Sequence, residues 1–295
     1  MIAIRLKEGL GNQMFQYALG RRIELATNQR VVYDTSSFKY NFYKRVYALD
    51  VFRLKADVSD FDKRRNLFYV DQHSPLYRKI LRRLKRPGWT ELHMYKEKHF
   101  HYDPGCLGLD QAYLDGYWQS EKYFSDYRDE LLKDFTIRDG LLSEKCLQYA
   151  SEIGGNQSVS VHLRTMHGFS LNGEEDPGVA ASFGACGMDF YNQCFERVEK
   201  SLRDPVYYVF SDNIPNAREM LKFRNCRYVA GLKDYEDLYL MSRCRDNIIS
   251  NSTFGWWAAW LNPNPAKRVF APAKWFQQSG VHDWRDIYAA GWEVI

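Results

Sequence analysis

NIISNSTFGWWAAWL, residues Asn247 to Leu261, joins three kinds of chain in fifteen positions. Asn247-Ile248-Ile249 is apolar and β-branched, the composition of a short buried strand. Ser250-Asn251-Ser252-Thr253 follows at once, all short hydroxyl or amide side chains. Phe254 to Leu261 then carries three tryptophans and reads as a helix, from Thr253 to Leu261, packed on most sides. A strand, a polar turn and a buried helix bring unpaired backbone N–H groups and hydroxyls to the positive end of a helix dipole, which suits an anion. A plain N-cap would need only one of those hydroxyl residues.

Working outward, the second half of the chain repeats this alternation. Strand-like runs lie at Val159–Arg164, Val206–Phe210, Arg227–Val229, Asn247–Ile249 and Arg268–Phe270. Helical patterns lie between them at Met188–Leu202, Asn216–Phe223, Tyr235–Arg243 and Thr253–Leu261. Strands alternating with helices predict a parallel sheet covered on both faces, an α/β fold. Such sheets bind ligands beyond the carboxyl ends of their strands. Those ends carry His162 and Arg164, then Ser211, Asp212 and Asn213, then the Ser250–Thr253 turn. Arg164 suits phosphate oxygens, and Asp212 suits a ribose hydroxyl or a base. Together they describe a nucleoside-diphosphate site. A glycine-bearing stretch, 165–187, leaves from the end of the first of these strands, and loops of that length are usually functional or disordered.

The first half opens with a strand, Ile2–Leu6, a turn containing Gly9 and Gly11, and a helical repeat through Met14, Phe15, Ala18, Leu19, Ile23 and Ala26. The third glycine of a dinucleotide fingerprint is missing, which argues against an oxidoreductase built on this sheet. Asn12 and Gln13 sit at the helix mouth. Val31–Asp34 is a second strand and Ala112–Leu114 a third, joined through Tyr117 and Trp118 to a helix reaching Leu131. Tyr117 and Trp118 read as core more readily than as cleft. The pattern between Thr35 and Gly154 is otherwise irregular, so the domain boundary is placed at Gly154-Gly155, giving domains 1–154 and 155–295.

Composition bounds the function. The chain has 295 residues, 45% hydrophobic and 26% charged, as in a globular protein. A net charge of +4 fits an anionic small ligand and falls short of a nucleic-acid footprint. The six cysteines form no CxxC pair, so neither a zinc nor a disulfide framework is expected. No signal-peptide pattern follows Met1, and no run of eighteen apolar residues occurs. A cytoplasmic enzyme is the expectation. Arg78–Arg86 is basic and amphipathic, which suits either a solvated basic helix over the core or peripheral contact with an anionic inner-membrane surface. Asp60-Phe61-Asp62 matches a sugar-nucleotide metal pattern by form alone, in a setting that suits a surface loop.

Gly9–Ala18 resembles the N-terminal signature of the bacterial α-1,2-fucosyltransferases, glycosyltransferase family 11. Ser158–Arg164 is similar to that family's His-x-Arg-Arg-x-Asp region, Phe210–Asn213 to its Phe-Ser-Asp-Asp segment, Gly116–Phe124 to a further segment, and Ser250–Leu261 to its third motif. The resemblance implies a GT-B-like fold, two Rossmann-type domains facing a central cleft. It implies an inverting transfer of L-fucose from GDP-β-L-fucose, without metal or other cofactor, to the 2-hydroxyl of a terminal galactose on a glycan, lipid-linked in one version. The C-terminal domain would bind GDP-fucose and the N-terminal domain the acceptor. Arg164 matches the arginine on the β-phosphate, and Ser252, Thr253 and Phe254 match residues holding phosphates and guanine. Asn12 matches an asparagine near donor and acceptor. Gly11, His162, Ser211, Asp212 and Ser250 complete the expected donor site. Thr165 and His167 stand in place of the family's second Arg and Asp, which bears on acceptor choice. Glu8, where the family often has Gly, is the candidate base, with His162 and His167 behind it. A different sugar or linkage, or a silent glycan-binding relative, are the competing readings.

Overall fold

The computed structural model describes residues 1–39, 45–60, 92–164, 184–221, 224–277 and 283–295. Arg78–Arg86, Phe61-Asp62, Thr165 and His167 lie outside the described residues.

The chain divides into two compact units, Met1–Phe135 and Thr136–Ile295. In the first, β1 (Ile2–Arg5), α1 (Leu10–Thr27) and β2 (Val31–Asp34) follow the expected pattern. β3 (Asp57–Ser59), β4 (His93–Lys96) and β5 (Ala112–Asp115) complete a five-stranded sheet of order β3-β2-β1-β5-β4, every described pairing parallel. α1 ends where Asn28 turns left-handed at φ 55° and its N–H closes on the Glu24 carbonyl. The helix expected to follow Trp118 is shorter than the sequence suggests. Two 3-10 turns, Glu121–Tyr123 and Ser125–Tyr127, precede α2 (Arg128–Asp134).

The second unit starts earlier than Gly154-Gly155. That pair only ends α3 (Glu144–Gly154), which belongs to the second unit. The Glu236 carboxylate accepts the Ser143 N–H at 2.7 Å, and the Tyr235 hydroxyl donates to the Leu141 carbonyl at 3.0 Å. These bonds tie the helix and its entry to the second core, so the glycines punctuate a helix and do not separate domains.

β6 (Ser158–Leu163), α4 (Met188–Glu199), β7 (Val206–Ser211), α5 (Ile214–Met220), β8 (Cys226–Tyr228), α6 (Asp234–Arg243), β9 (Asp246–Ile248), α7 (Thr253–Leu261) and β10 (Val269–Ala271) alternate as predicted, and a two-residue strand that the sequence did not suggest, β11 (Glu293–Val294), closes the unit. The sheet order is β11-β10-β9-β6-β7-β8, again parallel in every described pairing. Both faces of β6 are buried, although Ser158, Ser160 and His162 alternate along it with Val159, Val161 and Leu163. Val159, Val161 and Leu163 pack in one core with Tyr191, Phe195 and Val198 of α4. On the other face the Ser160 hydroxyl accepts from the Asn247 amide at 2.7 Å, so its burial leaves no unpaired group. Trp256, Trp257 and Trp260 of α7 are each at most 2% exposed. At about 150–250 Å² per aromatic side chain, each contributes roughly 4–6 kcal/mol of gross burial energy, which anchors the helix behind its polar mouth.

Candidate active site

The sheet of the second unit reverses direction once. From β6 the chain proceeds to β7 and β8 on one side, then to β9, β10 and β11 on the other. The crevice of such a sheet opens where the order reverses, between the carboxyl ends of β6 and β9. β6 ends one residue before Arg164, and β9 runs into the Ser250–Thr253 turn. β7, the other neighbour of β6, ends at Ser211. The three predicted clusters therefore stand on three adjacent strands.

Within this edge the residues divide by exposure. Ser250 is 0% exposed and His162 5%, and Ser250 Oγ lies 3.0 Å from His162 Nδ1. Ser250, expected among the donor ligands, is buried here with its hydroxyl against the imidazole. The Tyr191 hydroxyl donates to the His162 carbonyl at 3.1 Å, and the Phe254 ring lies 5.7 Å from the imidazole. Ser252, Thr253 and Phe254 are partly exposed at the start of α7. Ser252 caps the helix, accepting the Phe254 N–H at 3.3 Å. Asn251 holds the turn from behind, donating to the Gly184 carbonyl at 3.0 Å and the Trp275 carbonyl at 3.1 Å. Arg164 Nε meets Asp212 Oδ2 at 3.4 Å, a long ion pair between groups 24% and 16% exposed. Ser211 accepts the Asn213 N–H at 3.1 Å, and Asn213 caps α5 by accepting the Asn216 N–H. The sequence did not disclose that Asp212 holds the arginine beside it.

The sheet of the first unit has its own reversal, between β1 and β5. β1 leads into the turn of Lys7, Glu8 and Gly9, with Glu8 left-handed at φ 66°. Gly9 caps α1 without a side-chain bond, so the early N–H groups beside buried Gly11 have no side-chain acceptor from the cap. Asn12 accepts from the Gln119 amide at 2.7 Å. Gln13 is fully buried and structural, spanning the Glu8 and Val46 carbonyls and the Ala48 N–H. Asp115 at the end of β5 takes Arg5 at 3.0 Å and Lys7 at 2.8 Å. Burial would raise its carboxyl, but the two cations outweigh burial and hold it below the ordinary range.

Two parallel α/β sheets, each with a polar cluster at its reversal, are the architecture of the GT-B nucleotide-sugar transferases, and that class is what the comparisons with known proteins return. The chain belongs to glycosyl transferase family 11, whose model matches residues 1–295. It is 29% identical over 287 residues to the O-antigen biosynthesis glycosyltransferase WbnK of Escherichia coli, covering 92% of this chain and 93% of the relative. It is 26% identical to an α-1,2-colitosyltransferase of the same organism, covering 94% and 93%. Among solved structures it is similar to the fucosyltransferase NodZ from Bradyrhizobium, with a TM-score of 0.52, 14% identity and coverage of 87% and 91%. A NodZ α-1,6-fucosyltransferase co-crystallised with GDP gives 0.53 at 15% identity, covering 89% and 92%. The protein is thus a glycosyltransferase with a GT-B-like fold. No helix among the described residues is long and apolar enough to cross a membrane.

Proposed function

We propose that the protein transfers L-fucose from GDP-β-L-fucose, with inversion, to the 2-hydroxyl of a terminal galactose on a cell-surface glycan, and that it needs no metal. The observation that carries this is the convergence of Arg164, Asp212 and the mouth of α7 on the ends of adjacent strands β6, β7 and β9. GDP lies across that edge, its β-phosphate between the Arg164 guanidinium and the N–H groups opened by the Ser252 turn. As the bond from the sugar C1 to the phosphate oxygen breaks, negative charge grows on the β-phosphate, and these donors stabilise it in place of a divalent ion. The galactose oxygen attacks C1 from the opposite face and its proton passes to a carboxylate, for which Glu8 is the candidate. The products are GDP, the protonated base and the α-linked fucoside. Asp212 holds Arg164 ready and gives up part of that contact when the diphosphate arrives.

Replacing Arg164 by Ala tests the assignment. Loss of one preorganised donor lowers turnover about 10²–10³-fold, with an unchanged melting temperature. Turnover above about a tenth of wild type removes Arg164 from this role. The named α-1,2-colitosyltransferase relative supports a second donor. Transfer assays run side by side with GDP-fucose and GDP-colitose decide between the two sugars, and a protein that releases GDP from neither in the presence of galactosides is a binding relative and not a transferase.

A further inference from the structure

At the reversal of the first sheet, two turns are clamped together. The turn after β5 is held by Glu97, whose two carboxylate oxygens accept consecutive backbone N–H groups, Tyr117 at 2.6 Å and Trp118 at 2.9 Å. Trp118 is left-handed at φ 57°, as Glu8 is at φ 66° in the turn after β1. Non-glycine residues in that region cost about 1 kcal/mol or more each and persist where their surroundings enforce them, most often at functional sites. Glu97 packs directly on Gly116, where a Cβ would stand 2.6 Å from the Glu97 Cβ and 2.7 Å from the Trp118 indole. Gln16 bridges the turns, accepting the Lys7 N–H at 2.9 Å and donating to the Gly116 carbonyl at 3.3 Å. Lys7 Nζ sits 4.3 Å from the centre of the Tyr117 ring. The Tyr117 phenol is pushed up by burial first and then by the Glu8 carboxylate, in the turn whose Lys7 sits on its ring. Gln119 of the same turn fixes the carbonyl end of the Asn12 amide at 2.7 Å, so the NH₂ end faces away as a donor.

A half-buried tyrosine and an amide donor thus stand beside the turn that carries Glu8, at the point where a parallel sheet opens a crevice. A pyranoside asks for that set: an aromatic body for its apolar face, with acceptors and donors for vicinal hydroxyls. We propose that the Gly116–Gln119 turn is the acceptor-sugar platform, with Tyr117, Glu8 and Asn12 contacting a β-galactoside and Glu97 as the positioning residue that holds Tyr117 in place. This deepens the proposed function and rests on the acceptor lying on the first unit.

The test uses the full chain, lactose and methyl β-D-galactoside as probes, and the variants Tyr117→Ala, Tyr117→Phe and Glu97→Gln. In Glu97→Gln one oxygen becomes an amide nitrogen that cannot accept the second N–H. Expected for Tyr117→Ala and Glu97→Gln is a rise in KM for lactose of about tenfold or more, with the GDP dissociation constant within about twofold and kcat at saturation largely kept, a split that simple loss of folding does not produce. Tyr117→Phe separates the hydroxyl from the ring and shows a smaller rise. Saturation transfer from the GDP-loaded protein to methyl β-D-galactoside reads the platform without turnover, and it should fall in the same variants. Unchanged KM and unchanged saturation in Tyr117→Ala overturn the platform while leaving the donor assignment standing. No saturation in wild type overturns it outright. Retained turnover in Arg164→Ala strikes the donor assignment alone.

Discussion

The imidazole of His162 lies between Ser250 Oγ and the Phe254 ring, and an alanine at position 255 would bring its Cβ to 2.7 Å from His162 Nδ1. Alanine is about 1 kcal/mol better than glycine inside a helix. Forcing a methyl into a packed site costs about 1–3 kcal/mol, and the ring, held on two sides, has little room to yield. Gly255→Ala should therefore lower the melting temperature and weaken GDP binding together; a variant with a raised melting temperature and unchanged GDP affinity would show that the ring moves freely. Neither Ser250 nor Gly255 announces this role by residue type. Sequence spacing places both at the helix mouth, but only the approach of α7 to β6 separates the buried Ser250 from the partly exposed Ser252. The Glu97 contact was less legible still, since a glutamate just past an edge strand carries no pattern that points twenty residues onward to Tyr117.

At the scale of one element, α6 carries two adjacent carboxylates with opposite behaviour. Burial pushes Glu236 up, but the N–H groups of Lys233 and Ser143 outweigh it and hold the carboxyl below its ordinary value. Its contribution to stability is present above the unfolded pKa and fades as pH falls through the folded one. Glu236→Gln should thus destabilise at pH 7, by about 1.5–3 kcal/mol for a charged buried bond, and the gap from wild type should narrow below about pH 4. Asp237 is instead raised to about 7, by burial and then by Asp234 and Glu236. Its folded form prefers the proton, so stability is fullest below the unfolded value and is lost as pH rises through about 7. Asp237→Asn should raise the melting temperature at pH 8 and leave it unchanged at pH 4. Melting curves across that range check both; parallel shifts at all pH values would refute them. The element boundaries follow the same physics. β6, β7 and α7 are long, buried and regular, and the sequence places them within a residue or two. β3 and β4 are short, and His93 and Lys96 are exposed, so no apolar run marks them.

For the whole molecule, the order of strands was out of reach of the sequence, although the alternation that produces parallel sheets was not. The position of the division between units was also misplaced, because a glycine pair at a helix end looks like a linker until Glu236 is seen to reach back to Ser143. If Arg164 and the α7 mouth stabilise the leaving diphosphate, the proposed reaction should keep its rate in EDTA. Loss of activity on chelation, restored by manganese, would remove that chemistry from the proposed function.

Glu8 keeps a β-carbon where the peptide geometry favours none, at φ 66°. A population of variants screened only for heat resistance should drift to glycine there, gaining about 1 kcal/mol from released torsion. Whether those survivors still make product then reports, without any designed knockout, what the acid is kept for.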